Sequence, residues 1–579
     1  MEGVNTRKLT IVAKDPGFRL GEGKGSLAFV QVDVPAELLA SGPTGYRVKV
    51  VDYNPAERVV YENRQRYEDH QGNLIDPFRP LDGEDATSEA YEKRLIGNPN
   101  FHSQNAYAIV MRTLARFERA LGRRVSWSFG GHQLHIAPHA FDDANAFYSE
   151  ADRALMFGYF YQKDGPPVFT CLSHDIIAHE TSHAILDGLR SRYTAPSSPD
   201  QAAFHEGFAD IVALLSVFSL EDVVAAALGE ERTPDSQASN IRLIAKRKVT
   251  PDAIKKSILL GIAKQVGAAV NGGRDQALRQ SVQLAPDTKR LQAAEWEQEH
   301  KRGEILVASI MHAFVEIWHA RIKALGTFKG GKYNLDLVVE KGAQLADQLL
   351  TMCIRALDYC PPTDLDFGQY LAGLLTADFE LVPDDSRFRY RATILESFKA
   401  YGISLPSEGC DQTTGIWRGF AEAEELTYSR SNYDAMTHDR DEFFRFLWDN
   451  RRILGISDRG YIEVVSVDRS IRLGPDGIWL RETICQYVET AHIFGAETEA
   501  VLGAKRPEGV SSKDHIEAFG GGVIVLDQYG RVKYHIANPL RGGKRQADRI
   551  AYLSNQGLLR KQADGRSRFA SLHLKRMEG

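Results

Sequence analysis

The run His179-Glu180-Thr181-Ser182-His183 sets two imidazoles four residues apart, with a carboxylate beside the first. On a helix, residues i and i+4 share one face a turn apart, so two such rings converge on a single cation. Glu180 then projects beside the cation, where it can take a proton from a water held there. Ile176-Ile177-Ala178 precede the ligand pair and Ala184-Ile185-Leu186 follow its second histidine, with no Pro or Gly from Leu172 to Asp187. That reads as a buried helix. Buried imidazoles and carboxylates are costly without partners, and a metal ion would be the partner.

A second stretch carries polar groups on one face. Phe204-His205-Glu206-Gly207-Phe208-Ala209-Asp210 continues into Ile211-Val212-Ala213-Leu214-Leu215, and its carboxylates at 206 and 210 are again i and i+4. The loop from Tyr193 to Asp200 is short, as suits an antiparallel helix pair with facing polar residues. A zinc site with two histidines takes one oxygen ligand and leaves a position for water, and Glu206 is the candidate.

With these residues in view, the chain resembles the thermolysin-like gluzincin zinc metallopeptidases over residues 95–405. Asp175-Ile176-Ile177-Ala178-His179-Glu180-Thr181-Ser182-His183-Ala184 is similar to that family's D-V-V-A-H-E-L-T-H-A. Glu206-Gly207-Phe208-Ala209-Asp210 resembles E-A-x-S-D, and Asn145-Ala146-Phe147-Tyr148 resembles the N-A-F-W edge strand. The resemblance implies one Zn2+ on His179, His183 and Glu206, Glu180 as general base, and Asp210 orienting His179. It implies further that Asn145, Ala146 and Arg279 hold the substrate backbone, and that His300, partnered by Glu295, is a catalytic histidine. Tyr193 is the nearest candidate for the tyrosine that stabilises the oxyanion. The activity implied is zinc-dependent endopeptidase action on a peptide or protein substrate. A preference for an apolar residue after the cut bond is expected from Ile177, Ile211 and Leu214.

The chain also departs from the pattern. His205 stands where the family has Asn, which alters what holds one metal-ligating histidine. Val217 replaces an acidic calcium ligand, so Asp175 reads as a capping or hydrogen-bonding residue and structural Ca2+ is not expected.

The elements that must position these groups can be read more coarsely. The composition is that of a globular protein: 26% charged, 43% hydrophobic, 9% aromatic. A net charge of −6 over 579 residues offers no electrostatic case for nucleic acid or an anionic membrane. The N-terminus has no apolar signal segment and no run reaches the length of a membrane span. Five scattered cysteines argue against a disulfide framework, and together these features point to a cytoplasmic setting. The fold class expected is α+β multidomain. Residues 1–94 read as a β-rich domain followed by a linker (63–98), residues 95–405 as the thermolysin-like domain with a β-rich lobe and a helical lobe. Residues 406–579 read as an α+β domain, with a strand at 461–467 and a hairpin at 522–536. Gly520-Gly521-Gly522 reads as a flexible entry to a strand.

Other histidines compete for attention. His132, His135 and His139 lie within eight residues, but in a strand-like segment interrupted by Pro138 they read as structural or surface groups. His174, His312 and His319 read as helix-packing residues. The alternative to an enzyme is a non-catalytic peptidase-like scaffold that binds a partner through its terminal regions. Pseudoenzymes commonly lose the base or a ligand, whereas this chain keeps them all.

Overall fold

Strand β1 (Thr6–Val12) forms an antiparallel hairpin with β2 (Phe29–Pro35), and Leu9, Ile11, Val32 and Val34 face inward. The structure, a computed structural model, describes residues 6–13, 29–161, 167–195, 197–228, 242–262, 281–328, 330–474 and 477–559. Strand β3 (Val48–Val50) is followed by a small hairpin, β4 (Tyr53–Asn54) and β5 (Val59–Val60). Next come helices α1 (Glu89–Ile96), capped by Ser88, and α2 (Pro99–Leu121), capped by Asn98 with Pro99 in its first turn. Proline suits that position because the first turn needs no N–H partner there. The 23-residue α2 lies under the β1–β2 hairpin.

The sheet beside the site contains β3, β6 (Leu134–Asp142), β8 (Ala154–Tyr161) and β7 (Ala146–Ser149), in that order, with β9 (Pro167–Phe169) also on β8. Strand β3 runs parallel to β6, and β6 parallel to β8, while β7 pairs antiparallel at the edge. The expected boundary near residue 94 is therefore corrected. Strand β3 belongs to the same sheet as β7, and one hydrophobic core runs from Leu9 to Ile403. Nor is 63–98 a linker. Asp76 accepts hydrogen bonds from the Thr10 N–H (2.8 Å) and Gln104 Nε2 (2.9 Å), and Arg7 donates to the carbonyls of Tyr67 and Ile75. These bonds fasten the segment to β1 and α2 and satisfy buried backbone groups, while most of its polar side chains face water.

The helical layer begins with α3 (His174–Leu189), α4 (Pro199–Phe218), α5 (Glu221–Ala227) and α6 (Pro251–Ile262). It continues with α7 (Glu299–Lys323), α8 (Leu335–Arg355), α9 (Phe367–Phe379) and α10 (Tyr390–Ala400), with a short antiparallel pair, β10 (Leu243–Ala245) and β11 (Lys332–Asn334), between α5 and α8. Helix α4 starts at Ser198, whose hydroxyl accepts from Gln201 N–H, and packs on α3, α7 and α8. Helix α7 is long and apolar enough to cross a membrane, contrary to the expectation from sequence that no run is. It is mostly buried inside the protein, against α4, α8 and α10.

Beyond residue 406, α11 (Arg440–Asp449) packs on an antiparallel sheet in the order β12 (Tyr461–Leu473), β13 (Trp479–Phe494), β14 (His515–Leu526), β15 (Val532–Asn538). Helix α12 (Lys544–Asn555) follows. The expected hairpin is β14–β15, closed by Asp527 N–H on the Arg531 carbonyl (2.9 Å). The three glycines are not an entry segment; they lie inside β14. A Cβ on Gly521, at φ +148°, would stand 2.4 Å from the Tyr487 carbonyl on β13. Glycine permits that close strand approach.

This region has cores of its own and one shared with the helical layer, where Tyr359, Ala372 and Ala377 meet Val523, Val525 and Ile536. Charges cross the same boundary. Asp358 pairs with Arg123 and Arg472, all nearly inaccessible, and Glu482 pairs with Arg472 (3.1 Å) and Lys533 (2.9 Å).

Candidate metal centre

Helix α3 begins at Ser173, whose hydroxyl donates to the Asp175 carboxylate in the first turn. An anion there suits the positive end of the helix, so Asp175 serves helix initiation. Val217 is core. One and two turns further on, His179 and His183 present Nε2 atoms 2.7 Å apart, with rings perpendicular. From α4, Glu206 comes within 3.6 Å of His179 Nε2 and 3.9 Å of His183 Nε2. The three buried side chains offer donor atoms all within 4.8 Å of one another.

The outer faces of the rings are tied down. His179 Nδ1 lies 2.8 Å from Asp210 Oδ1. With Nδ1–H serving Asp210, Nε2 is the nitrogen turned toward Glu206, and the second proton it carries is the one a bound cation would displace. His183 Nδ1 lies 2.7 Å from His205 Nδ1, their rings stacked at 4.7 Å. His205 is thus the group that stands behind His183. Burial opposes a charge on His179, yet Asp210, then Glu206 and Glu180, outweigh it and hold the imidazolium up to about 10. The pocket is electronegative enough to retain a proton where a cation would bind. A donor set of two imidazoles and a carboxylate fits a zinc ion.

Glu180 is 1% exposed and accepts the Tyr148 N–H at 3.1 Å, which ties the carboxylate to the edge strand β7. The Tyr148 hydroxyl reaches Ser128 and Asp187. His300, in the first turn of α7, places Nδ1 3.6 Å from Glu206 and is 40% exposed. It is the open side of the cluster. Glu304, one turn on, is raised to about 7 by burial and by Asp210.

Other expected residues stand elsewhere. Tyr193 is fully buried, its hydroxyl donating to the Pro361 carbonyl at 2.7 Å and its ring edge-on to Phe204. A phenol committed to a carbonyl has no proton left for an oxyanion, so the Tyr193 assignment is corrected. Glu295 is exposed and accepts from Trp296 Nε1 at 3.2 Å, whereas the acid beside His300 is Glu206. Ile177, Ile211 and Leu214 are packed in the core, at most 3% exposed. Asn145 turns its side-chain oxygen onto Ala146 N–H (2.8 Å) at the start of β7. Arg279 lies outside the described residues. His132 is exposed and His135 half-buried, while His174, His312 and His319 bond Ser216, Ser397 and the Val249 carbonyl between packed elements.

The Tyr148 N–H is the site component that sequence reasoning missed, and the His205 ring was read as altering one ligating histidine without saying which. A backbone N–H carries no residue signature, and His205 was visible only as a departure without a direction. Compared with known proteins, the chain matches no protein-family model and no curated protein.

Proposed function

We propose that the chain is a zinc-dependent endopeptidase, with one Zn2+ held by His179, His183 and Glu206. The observation that carries this reading is Glu180, held by the Tyr148 N–H at the junction of the ligand helix and an edge strand. When bound, zinc supplies a Lewis acid that polarises a carbonyl and makes water acidic enough to ionise near neutral pH. The other steps belong to the protein's own residues. The Tyr148 N–H points away from β8 toward Glu180, so the outer edge of β7 runs past the base, and an extended peptide adding to that edge brings its backbone there. Glu180 takes the proton of the attacking water and returns it to the leaving amine. His300 donates to the developing oxyanion from the open side. Asp210 and His205 keep both imidazoles turned so that Nε2, not Nδ1, faces Glu206.

The test is hydrolysis of denatured proteins, read by mass spectrometry, for wild type and Glu180→Gln. Cleavage by wild type that chelator abolishes, with the variant retaining metal yet inactive, is expected. Equal cleavage by both would overturn the mechanism, and no cleavage by wild type would favour the non-catalytic scaffold that binds a partner through its terminal regions.

A further inference from the structure

A second convergence of ligands lies outside this site. His102 on α2, His139 on β6 and Cys171, just before α3, bring two ring nitrogens and a sulfur within 4.8 Å of one another. Each is at most 1% exposed.

The hydrogen bonds around the two imidazoles decide what the site lacks. His139 Nδ1 lies 2.7 Å from Asp52 Oδ1, and His102 Nε2 lies 2.7 Å from the Ile96 carbonyl. A carboxylate and a carbonyl only accept, so each ring must carry its proton on that outer nitrogen. Two neutral rings then face each other with lone pairs, His102 Nδ1 against His139 Nε2, at 2.8 Å. Something positive belongs between them. The same inward geometry, at 2.7 Å, marks His179 and His183. Two nitrogens bound at about 2.0–2.1 Å to a tetrahedral ion stand about 3.3 Å apart, so both pairs open by about half an ångström on loading.

We infer that His102, His139 and Cys171 form a second metal centre, which binds a divalent zinc ion. A shared proton would satisfy the two nitrogens but gives the sulfur no part. Zinc takes imidazole and thiolate together. On binding, the Cys171 thiol loses its proton to solvent and the sulfur becomes a ligand. The thiolate and the Asp52 carboxylate then neutralise the ion's two charges, which a dry site requires. Asp52 is a positioning residue: it fixes the His139 ring and is itself bonded by the Ser103 hydroxyl at 3.4 Å. The Phe169 ring covers both imidazoles, at 4.5 and 5.3 Å between centroids. A nucleophilic role for Cys171 is excluded by its burial, since no substrate reaches it. The centre is structural. It joins α2, β6 and the segment that leads into α3, and Asn105 Nδ2 on the Cys171 carbonyl (2.9 Å) reinforces the same joint.

The inference stands apart from the proposed activity, and cobalt separates them because only this centre contains sulfur. The full-length protein, stripped of metal and titrated with Co2+, should bind two ions per chain and develop a sulfur-to-cobalt charge-transfer absorption in the near ultraviolet. His183→Ala should bind one and keep that absorption; Cys171→Ser should bind one and lose it. The wild-type spectrum decides even if Cys171→Ser does not fold. A wild-type chain that binds one Co2+ and shows no sulfur-to-cobalt band would overturn the inference.

Discussion

Glu180 and His300 act at one place by different means, and their removal should read differently. His300→Ala should keep its metal and lose about 10²–10³ in kcat with KM little changed, as for loss of one oxyanion donor; steady-state kinetics with metal analysis checks this. Tyr193→Phe should leave the rate unchanged and cost about 1 kcal/mol in chemical denaturation, because only the bond to the Pro361 carbonyl is lost. A large fall in kcat for that variant would restore Tyr193 to the site. The ligand spacing was legible in the sequence because it is local: on a helix, i and i+4 already imply a shared face. The partners were legible only in part. Glu295 misleads because a short 3-10 turn, Ala294–Trp296, and an extended Gln298 intervene before α7, so a count of residues does not translate into a direction. His139 was weighed with its neighbours in sequence, while its partners His102 and Cys171 come from α2 and the lead-in to α3.

Helices α4 and α7 are set by two glycines beside the site. A Cβ on Gly207 would stand 2.9 Å from the Gly303 carbonyl, and one on Gly303 would stand 3.1 Å from Gly207 N. These residues adjoin Glu206 and lie one turn from His300, so the crossing sets the distance between ligand and catalytic histidine. Gly207→Ala should cost about 1–3 kcal/mol by overpacking. It should also lower kcat/KM with metal still bound, which thermal unfolding and kinetics on one preparation would show. The pair was not marked in the sequence, since a glycine inside a helical pattern reads as a weakness until its neighbour across the crossing is known. Strands β1, β2 and β3 were legible from their β-branched runs, whereas the two-residue strands β4 and β5 were not. Nor was sheet membership legible, because β3 pairs with a strand that follows α2, and nothing local to Val48–Val50 names that partner.

Across the whole molecule, the C-terminal sheet is joined to the helical layer through Asp358. Burial opposes its charge, but Arg123 and Arg472 outweigh burial and hold the carboxyl below the usual carboxylate range. A lowered pKa contributes stability that is present above the unfolded-state value and is lost as pH falls through the folded one. Asp358→Ala should cost about 3–5 kcal/mol at neutral pH, since two buried guanidinium groups lose their partner. The difference from wild type should shrink as acid protonates Asp358 in the native chain; urea denaturation across pH would read both. A difference unchanged down to the acid limit would remove Asp358 from the junction. The same junction reaches the ligand helix. Gln486 Nε2 on β13 donates to the Leu189 carbonyl at 3.2 Å, and Arg190 donates to the Leu357 carbonyl, while the lead-in to α3 is fastened by Asn105. Helix α3 is therefore a beam fixed at both supports rather than a cantilever, and a beam so held deflects far less along its length than one free at an end. His179 and His183 sit on that span, so the stiffness that keeps their nitrogens aligned is supplied partly by a sheet that holds the helix at its far end.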